Sequence, residues 1–559
     1  MTRLLRPTLT CIALIALAAC QGAEPPAVEP SLHTPRLFDG LGQIHHPIST
    51  SNELAQRYFD QGLALSFGFN HDGAIDAFRE AARLDPKCAM CWWGIAFAAG
   101  PNINAPIGPE AARIAYGAAQ QAQKLSGQAS PAQRAWIDAI ATRYAADADA
   151  TAGPAGAPNR IALDRAFADA MRAIWLAHPE DPDAAAIYAE SLLDLSPWNY
   201  WQEDGAPREF TQAAADALSA ALRINPDHTG ALHYTIHLYE RFEPEKAESA
   251  ADRLAVQAPD AGHLVHMPAH IYYRVGRYKD AFDINEQAAA ADVAYFAWCR
   301  ASPAYAAAYY THNLHFLWAS AMAEGRSDAA LTASRRLVAH INPSDLATFP
   351  FLEDFLVTPI YTFARFGNWD AILAEPVPPE GQHFVAAIRH YARGLAFVRG
   401  GDAPAADLEL AALTAIAATP AVASVGFDTS GGTAGQRLDI ARHHLAGEIA
   451  FARGDRKQAE AELVAGIALQ DSLPYAEPPP FYFPLRQAYG VVLLDAGRAA
   501  DAEVVYREDL RRYPKNGWSL LGLSQSLAKQ GQYGPAQYAR KGFQNAWVRA
   551  DVPIERSRF

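Results

Sequence analysis

The chain has 559 residues, half of them apolar, so it can bury a large core or a long stack of small ones. Its net charge of −14 repels phosphate backbones, and no basic stripe offsets it, which excludes nucleic acid as an expected partner. No apolar run beyond the first twenty residues reaches membrane-spanning length.

At the N-terminus, Arg3 and Arg6 precede an apolar run from Leu9 to Ala19 that ends in Leu17-Ala18-Ala19-Cys20. This order resembles a bacterial lipoprotein signal, in which Cys20 is acylated and becomes the new N-terminus. The resemblance implies an exported, periplasm-facing protein held to a membrane through a lipid anchor. Gln21, in place of the aspartate associated with inner-membrane retention, points to the outer membrane. Cleavage of residues 1–19 would remove two arginines and shift the net charge from −14 to −16. With Cys11 and Cys20 assigned to the signal, Cys88, Cys91 and Cys299 remain, too few for a disulfide scaffold. Cys88-Ala-Met-Cys91 reads as a local disulfide, a pair of buried thiols or a soft-metal site. Residues 20–50 read as a tether and N-terminal loop, in which His45-His46-Pro47 is expected to form a surface turn.

Helical periodicity begins at Tyr58. Tyr58, Gly62, Leu65, Ala74, Phe78, Ala81 and Pro86 occupy the signature positions of the tetratricopeptide repeat (TPR). Small residues let paired helices approach, aromatics fill the gap and the proline ends the second helix. The pattern returns as Gly394 with Ala406, Gly447 with Ala459, and Gly490, Ala502, Tyr506 and Pro514. Weaker helix–turn–helix cues lie between, at Gly276-Arg277-Tyr278, Gly325-Arg326 and Phe366-Gly367-Asn368-Trp369. The expected fold is all-α, an α-solenoid of stacked helix pairs with loop insertions. Its expected segments are N-terminal repeats over 51–227, histidine-rich central repeats over 228–375 and C-terminal repeats over 376–559. Insertions are read at 147–158, 292–310, 419–435 and 473–480, and such insertions often cover a functional face.

Several phrases resemble a family of exported bacterial TPR proteins of largely unassigned function. They include Tyr58-Phe-Asp-Gln-Gly, Phe69-Asn-His-Asp, Gly100-Pro-Asn-Ile-Asn-Ala-Pro, Leu195-Ser-Pro-Trp-Asn-Tyr-Trp, His263-Leu-Val-His-Met-Pro-Ala-His and His312-Asn-Leu-His-Phe. The resemblance implies the fold and the export, and brings no activity with it.

Eight of the 18 histidines fall between His228 and Phe316. The resemblance to the TPR implies that positions 2, 5, 9, 12 and 13 of the first helix line a concave groove, and in that register His233 and His237 take positions 5 and 9 of one repeat, with Glu240 at 12. His263, His266 and His270 take positions 2, 5 and 9 of the next, and His312 and His315 positions 2 and 5 of a third. Glu353 falls at position 2 of the repeat after that, and only His228 is left outside. Residues three or four apart share one helix face, and neutral imidazole is a ligand for Zn, Cu, Fe and Ni. The expected site is therefore a transition-metal centre (Cu, Zn or Fe) on His233, His237, His263, His266, His270, His312 and His315. His233/His237 with His266/His270 would supply four nitrogens, and Glu240 would serve as a general base or orient a ligand if the site is catalytic. The competing expectation is a metal-free scaffold whose groove binds a peptide, protein or small-molecule partner, with Asn285 and Asn313 as donors. His444 and Glu448 are read as polar groove residues of a later repeat.

Overall fold

The computed structural model describes residues 34–147, 153, 158–298, 303–423 and 432–559. Cys20, Cys299 and parts of the insertions at 147–158, 292–310 and 419–435 lie outside them. The architecture is an all-α solenoid, and among the described residues the only extended pairings are isolated bridges such as Asn102 with Ala105.

Close helix approach explains the repeat signature. The ring of Phe78, in the helix His71–Leu84, sits where Gly62 of Glu53–Phe67 and Gly94 of Ala89–Ala98 leave room. A Cβ at Gly62 would lie 2.7 Å from that ring, and one at Gly94 2.4 Å. Tyr506 plays the same part near the C-terminus, between Gly490 and Gly522. Asn52, Asn70, Asp402 and Asn516 accept hydrogen bonds from the first free amides of the helices that follow them.

Two departures from regular stacking shape the centre. First, the helix carrying His263 is split into Gly262–His266 and Pro268–Arg274. Pro268 has no N–H to continue the ladder, and His270 N donates instead to Met267 O at 3.2 Å. Second, the C-terminal repeats return to the central ones. Trp518 Nε1 donates to Met322 O at 3.2 Å, and Asp551 accepts from the amides of Ser327 and Asp328 at 2.7 and 3.0 Å. The loop after the helix Arg456–Ser472 is thereby laid over the histidine-bearing helices, and Glu477 reaches His270.

The N-terminal turn is at the surface at His45 and Pro47, as its composition suggested, but not at His46. His46 is buried, with Nδ1 2.8 Å from Asp183 Oδ2, and His228 Nε2 lies 2.9 Å from the other oxygen of the same carboxylate. Asp183 is held well below the usual carboxylate range: burial alone would raise it, but the two histidines outweigh that. Cys88 and Cys91 form a disulfide, which leaves no thiolate pair there for a soft metal.

Candidate metal centre

Two three-histidine clusters lie side by side where the central helices meet. The first joins His233 and His237, one turn apart on Thr229–Tyr239, to His263 on Gly262–His266. The second joins His266, His270 and, from the helix Thr311–Glu324, His312. In each cluster, one nitrogen from every ring lies within 4.8 Å of the other two. The pairing differs from the expected four-nitrogen set because His263 meets His233, at 5.1 Å between ring centroids, while His266 and His270, one turn apart, meet His312 at 4.8 and 5.4 Å.

In the first cluster, His233 Nδ1 donates to Phe67 O at 2.6 Å, so Nε2 carries the lone pair. His237 Nδ1 lies 3.3 Å from Glu240 Oε1, which fixes the same tautomer. Both Nε2 atoms, and both nitrogens of His263, are buried without a hydrogen-bond partner. Burial, followed by the neighbouring imidazoles, drives His233 and His263 well below their ordinary value, and burial also lowers His237. All three are neutral near pH 7, the state that ligates a metal. An unpaired polar atom in such a place costs about 1–3 kcal/mol, so the cluster is incomplete as a set of hydrogen bonds.

In the second cluster, His266 Nδ1 donates to Asn285 Oδ1 at 2.6 Å, and Asn285 Nδ2 donates to Ala281 O at 2.7 Å, which sets the amide orientation. Asn285 is therefore the orienting partner of His266 rather than a groove donor. Asn313 is likewise occupied, donating to Asp292 Oδ2 at 2.7 Å. His270 Nδ1 lies 3.1 Å from Glu240 Oε2 and 3.1 Å from Glu477 Oε2. Its Nε2 faces His266 Nε2 at 3.0 Å and His312 Nε2 at 3.4 Å. With Nδ1–H committed on both His266 and His270, two lone pairs would oppose each other unless a proton or a cation sits between them. Burial would lower His270, but Glu240 and Glu477 outweigh it and raise the ring to about 10. Without an ion, the proton occupies that position.

Glu240 thus touches both clusters through the outer nitrogens of His237 and His270, and is buried. The two histidines hold it below the usual carboxylate range against the effect of burial. Glu477 also touches His270 and accepts a hydrogen bond from the Tyr475 hydroxyl. Sequence spacing could not reveal Glu477, because it lies some 200 positions away in a loop recognised only as an insertion. Aromatic rings close the clusters off. Phe69 packs 4.6 Å from His233, Tyr309 4.6 Å from His263, Trp198 5.1 Å from His237 and Phe316 4.7 Å from His270. Phe69 and Trp198 hold φ of 55° and 61°, which bulky residues rarely adopt and which collects at functional sites. The expected open groove is therefore roofed, and of the six clustered rings only His312 is half exposed.

Two expected residues lie elsewhere. His315 stacks on Trp318 at 5.3 Å and meets Phe355 at 5.0 Å, outside both clusters. Three helical steps leave it about 60° around the axis from His312, enough to face a different wall. Glu353 accepts from Phe384 N at 3.0 Å and belongs to neither cluster. It lies in a 3-10 segment, Pro350–Val357, whose tighter winding breaks the assumed α-helical register. His444 and Glu448 form a separate buried contact at 3.6 Å, tied to Tyr391 and Arg399.

No protein-family model matches the chain, and no curated protein matches it. Among solved structures, the human IFIT1 dimer with m7Gppp-AAAA is 12% identical with a TM-score of 0.31, covering 89% of this chain and 91% of that one. The human IFIT1 dimer with PPP-AAAA is 12% identical with a TM-score of 0.30, covering 87% and 89%. At those values the likeness carries no argument about ligand or function.

Proposed function

We propose that this protein is a metal-binding α-solenoid that holds transition-metal ions at two adjacent three-histidine centres. The observation that carries the reading is the first cluster: three buried rings, each with an imidazole nitrogen that has no hydrogen-bond partner, bring one nitrogen apiece within 4.8 Å of the other two. Burial of this kind is expensive unless something accepts the lone pairs. His233, His237 and His263 would hold one ion and His266, His270 and His312 a second. Three protein nitrogens leave a coordination position for water or a small ligand, the arrangement that supplies a Lewis acid when the metal is bound. Zn, Cu and Fe all suit imidazole, and among the described residues no cysteine belongs to either cluster to favour a softer ion. Glu240 supports the centres as the carboxylate that orients His237 and His270, and Glu477 does the same for His270.

Elemental analysis of untagged protein after incubation with Zn, Cu or Fe and desalting tests this reading. About two equivalents of one metal are expected. His263→Ala should lower this to about one, and so should His312→Ala. Less than a tenth of an equivalent in the unsubstituted protein would reject the metal reading and leave the metal-free scaffold, with a peptide or protein partner in the cell envelope. The acidic charge supports a partner other than nucleic acid. The signal-like N-terminus supports attachment to the outer membrane through acylated Cys20. An unchanged membrane fraction for Cys20→Ala would refute that attachment.

A further inference from the structure

A second feature is independent of the histidines. Among the described residues five arginines are buried: Arg143, Arg160, Arg365, Arg437 and Arg558. Four of them meet a carboxylate: Arg143 with Asp194, Arg160 with Asp164, Arg437 with Asp354 and Arg558 with Glu448. Arg365 has no carboxylate within ion-pair distance. Its Nη2 donates to Gln487 Oε1 at 2.7 Å, and its Nη1 has no hydrogen-bond partner. The nearest acid in this network, Asp509, is reached only through Gln487, whose Nε2 donates to Asp509 Oδ2 at 3.1 Å. The guanidinium is braced from the side, over the ring of Trp518 at 3.6 Å and of Phe483 at 4.8 Å. Burial pulls it down to about 9, which still leaves it charged at neutral pH.

Arg365 also lines a cavity of about 50 Å³ between the central and C-terminal repeats. Trp318, Trp518, Tyr273, Tyr482 and Pro478 form much of its wall, and among the described residues Arg365 is the only charged one on it. We propose that this cavity binds a small organic monocarboxylate, with the carboxylate on Arg365 and the apolar body against Trp318, Trp518 and Tyr482. A planar carboxylate matches the guanidinium fork and satisfies the unpartnered Nη1. A single cation neutralises a single anionic group, and the aromatic wall suits an alkyl chain rather than a second charge. The volume corresponds to roughly three to five water-sized groups, which sets the scale at propionate or butyrate.

The test is calorimetric titration of the full chain with propionate and butyrate and with their neutral isosteres, propionamide and butyramide, with tryptophan fluorescence as a second readout. Saturable binding of one acid per chain is expected, at least tenfold tighter than the amide. Arg365→Met should weaken acid binding at least tenfold and leave the histidine-bound metal content unchanged. It should keep the fold, because it removes an unpaired buried charge and keeps the volume. Ala323→Phe, from an alanine on the cavity wall, should abolish binding by filling the space, and it decides the matter if the arginine variant does not fold. Absence of saturable acid binding, equal affinity for acid and amide, full affinity in Arg365→Met, or full affinity in Ala323→Phe would each overturn the proposal.

Discussion

At the scale of residues, the informative quantity is which nitrogen of each imidazole is already committed. Phe67 O and Asn285 Oδ1 take the Nδ1 protons of His233 and His266, while Glu240 and Glu477 do so for His270. The inward nitrogens are thus the Nε2 atoms. The two clusters differ in what already occupies the meeting point. Burial holds His233 and His263 well below their ordinary value, which favours the neutral ring, whereas His270, raised to about 10, carries a competing proton at neutral pH. Metal must displace that proton, so its binding at the second cluster weakens as pH falls, while the first cluster meets proton competition only at lower pH. Metal retained after dialysis at successive pH values from 8 to 4 should fall in two steps, and the higher-pH step should vanish in His312→Ala. A single step unaffected by that change would contradict the assignment. The structure also separates two residues of one motif: His312→Ala should cost one equivalent of metal, whereas His315→Ala, stacked on Trp318, should retain both.

At the scale of elements, the clusters depend on one broken helix and several tight helix pairs. Pro268 splits Gly262–His266 from Pro268–Arg274 between two histidines whose i,i+4 spacing lets His270 Nε2 meet His266 Nε2 at 3.0 Å. Pro268→Ala should let the helix run on, which keeps the i,i+4 pair His266 and His270 on one face but shifts both relative to His312 on the neighbouring helix. Loss of the second equivalent of metal with the first retained is the expected result, and unchanged stoichiometry would show that the break is incidental. Away from the site, Gly490→Ala would place a Cβ 2.3 Å from the Tyr506 ring. Overpacking of that kind should cost about 1–3 kcal/mol, seen as a lower denaturant midpoint with metal content intact.

At the scale of the whole molecule, the chain curls until segments distant in sequence enclose its centre. Glu477 reaches His270, Gly40 N donates to Asp260 Oδ2 at 3.1 Å, and Asp551 accepts from the amide of Ser327. Ions held by residues of three successive repeats would tie these turns together, because an unfolded chain offers no assembled site. Free metal at a hundred times its dissociation constant should stabilise each site by about 2.7 kcal/mol. The thermal midpoint should therefore rise with metal concentration and fall on chelation. A midpoint indifferent to both, at full occupancy, would mean the ions sit on a surface that unfolding does not disturb.

The sequence by itself determined the helical repeats, because close packing of helix pairs demands small and aromatic residues at set positions. Gly62 against Phe78 and Gly490 against Tyr506 are local consequences of that demand. It also determined which histidines could gather, since spacings of three and four confine side chains to one helix face. Six of the seven expected histidines belong to the two clusters. Tertiary structure alone decided how they divide. The division follows from which ring of a neighbouring helix each imidazole meets, His233 for His263 and His312 for His266 and His270, and that is not encoded in a spacing. The same holds for His315, which packs against Phe355 instead of the clusters, and for Glu353, displaced by a 3-10 segment. Glu477, the burial of His46 and the unpaired Arg365 depend on contacts across the curled solenoid. In each case the partner is chosen by the path of the chain through space rather than by its neighbours in sequence.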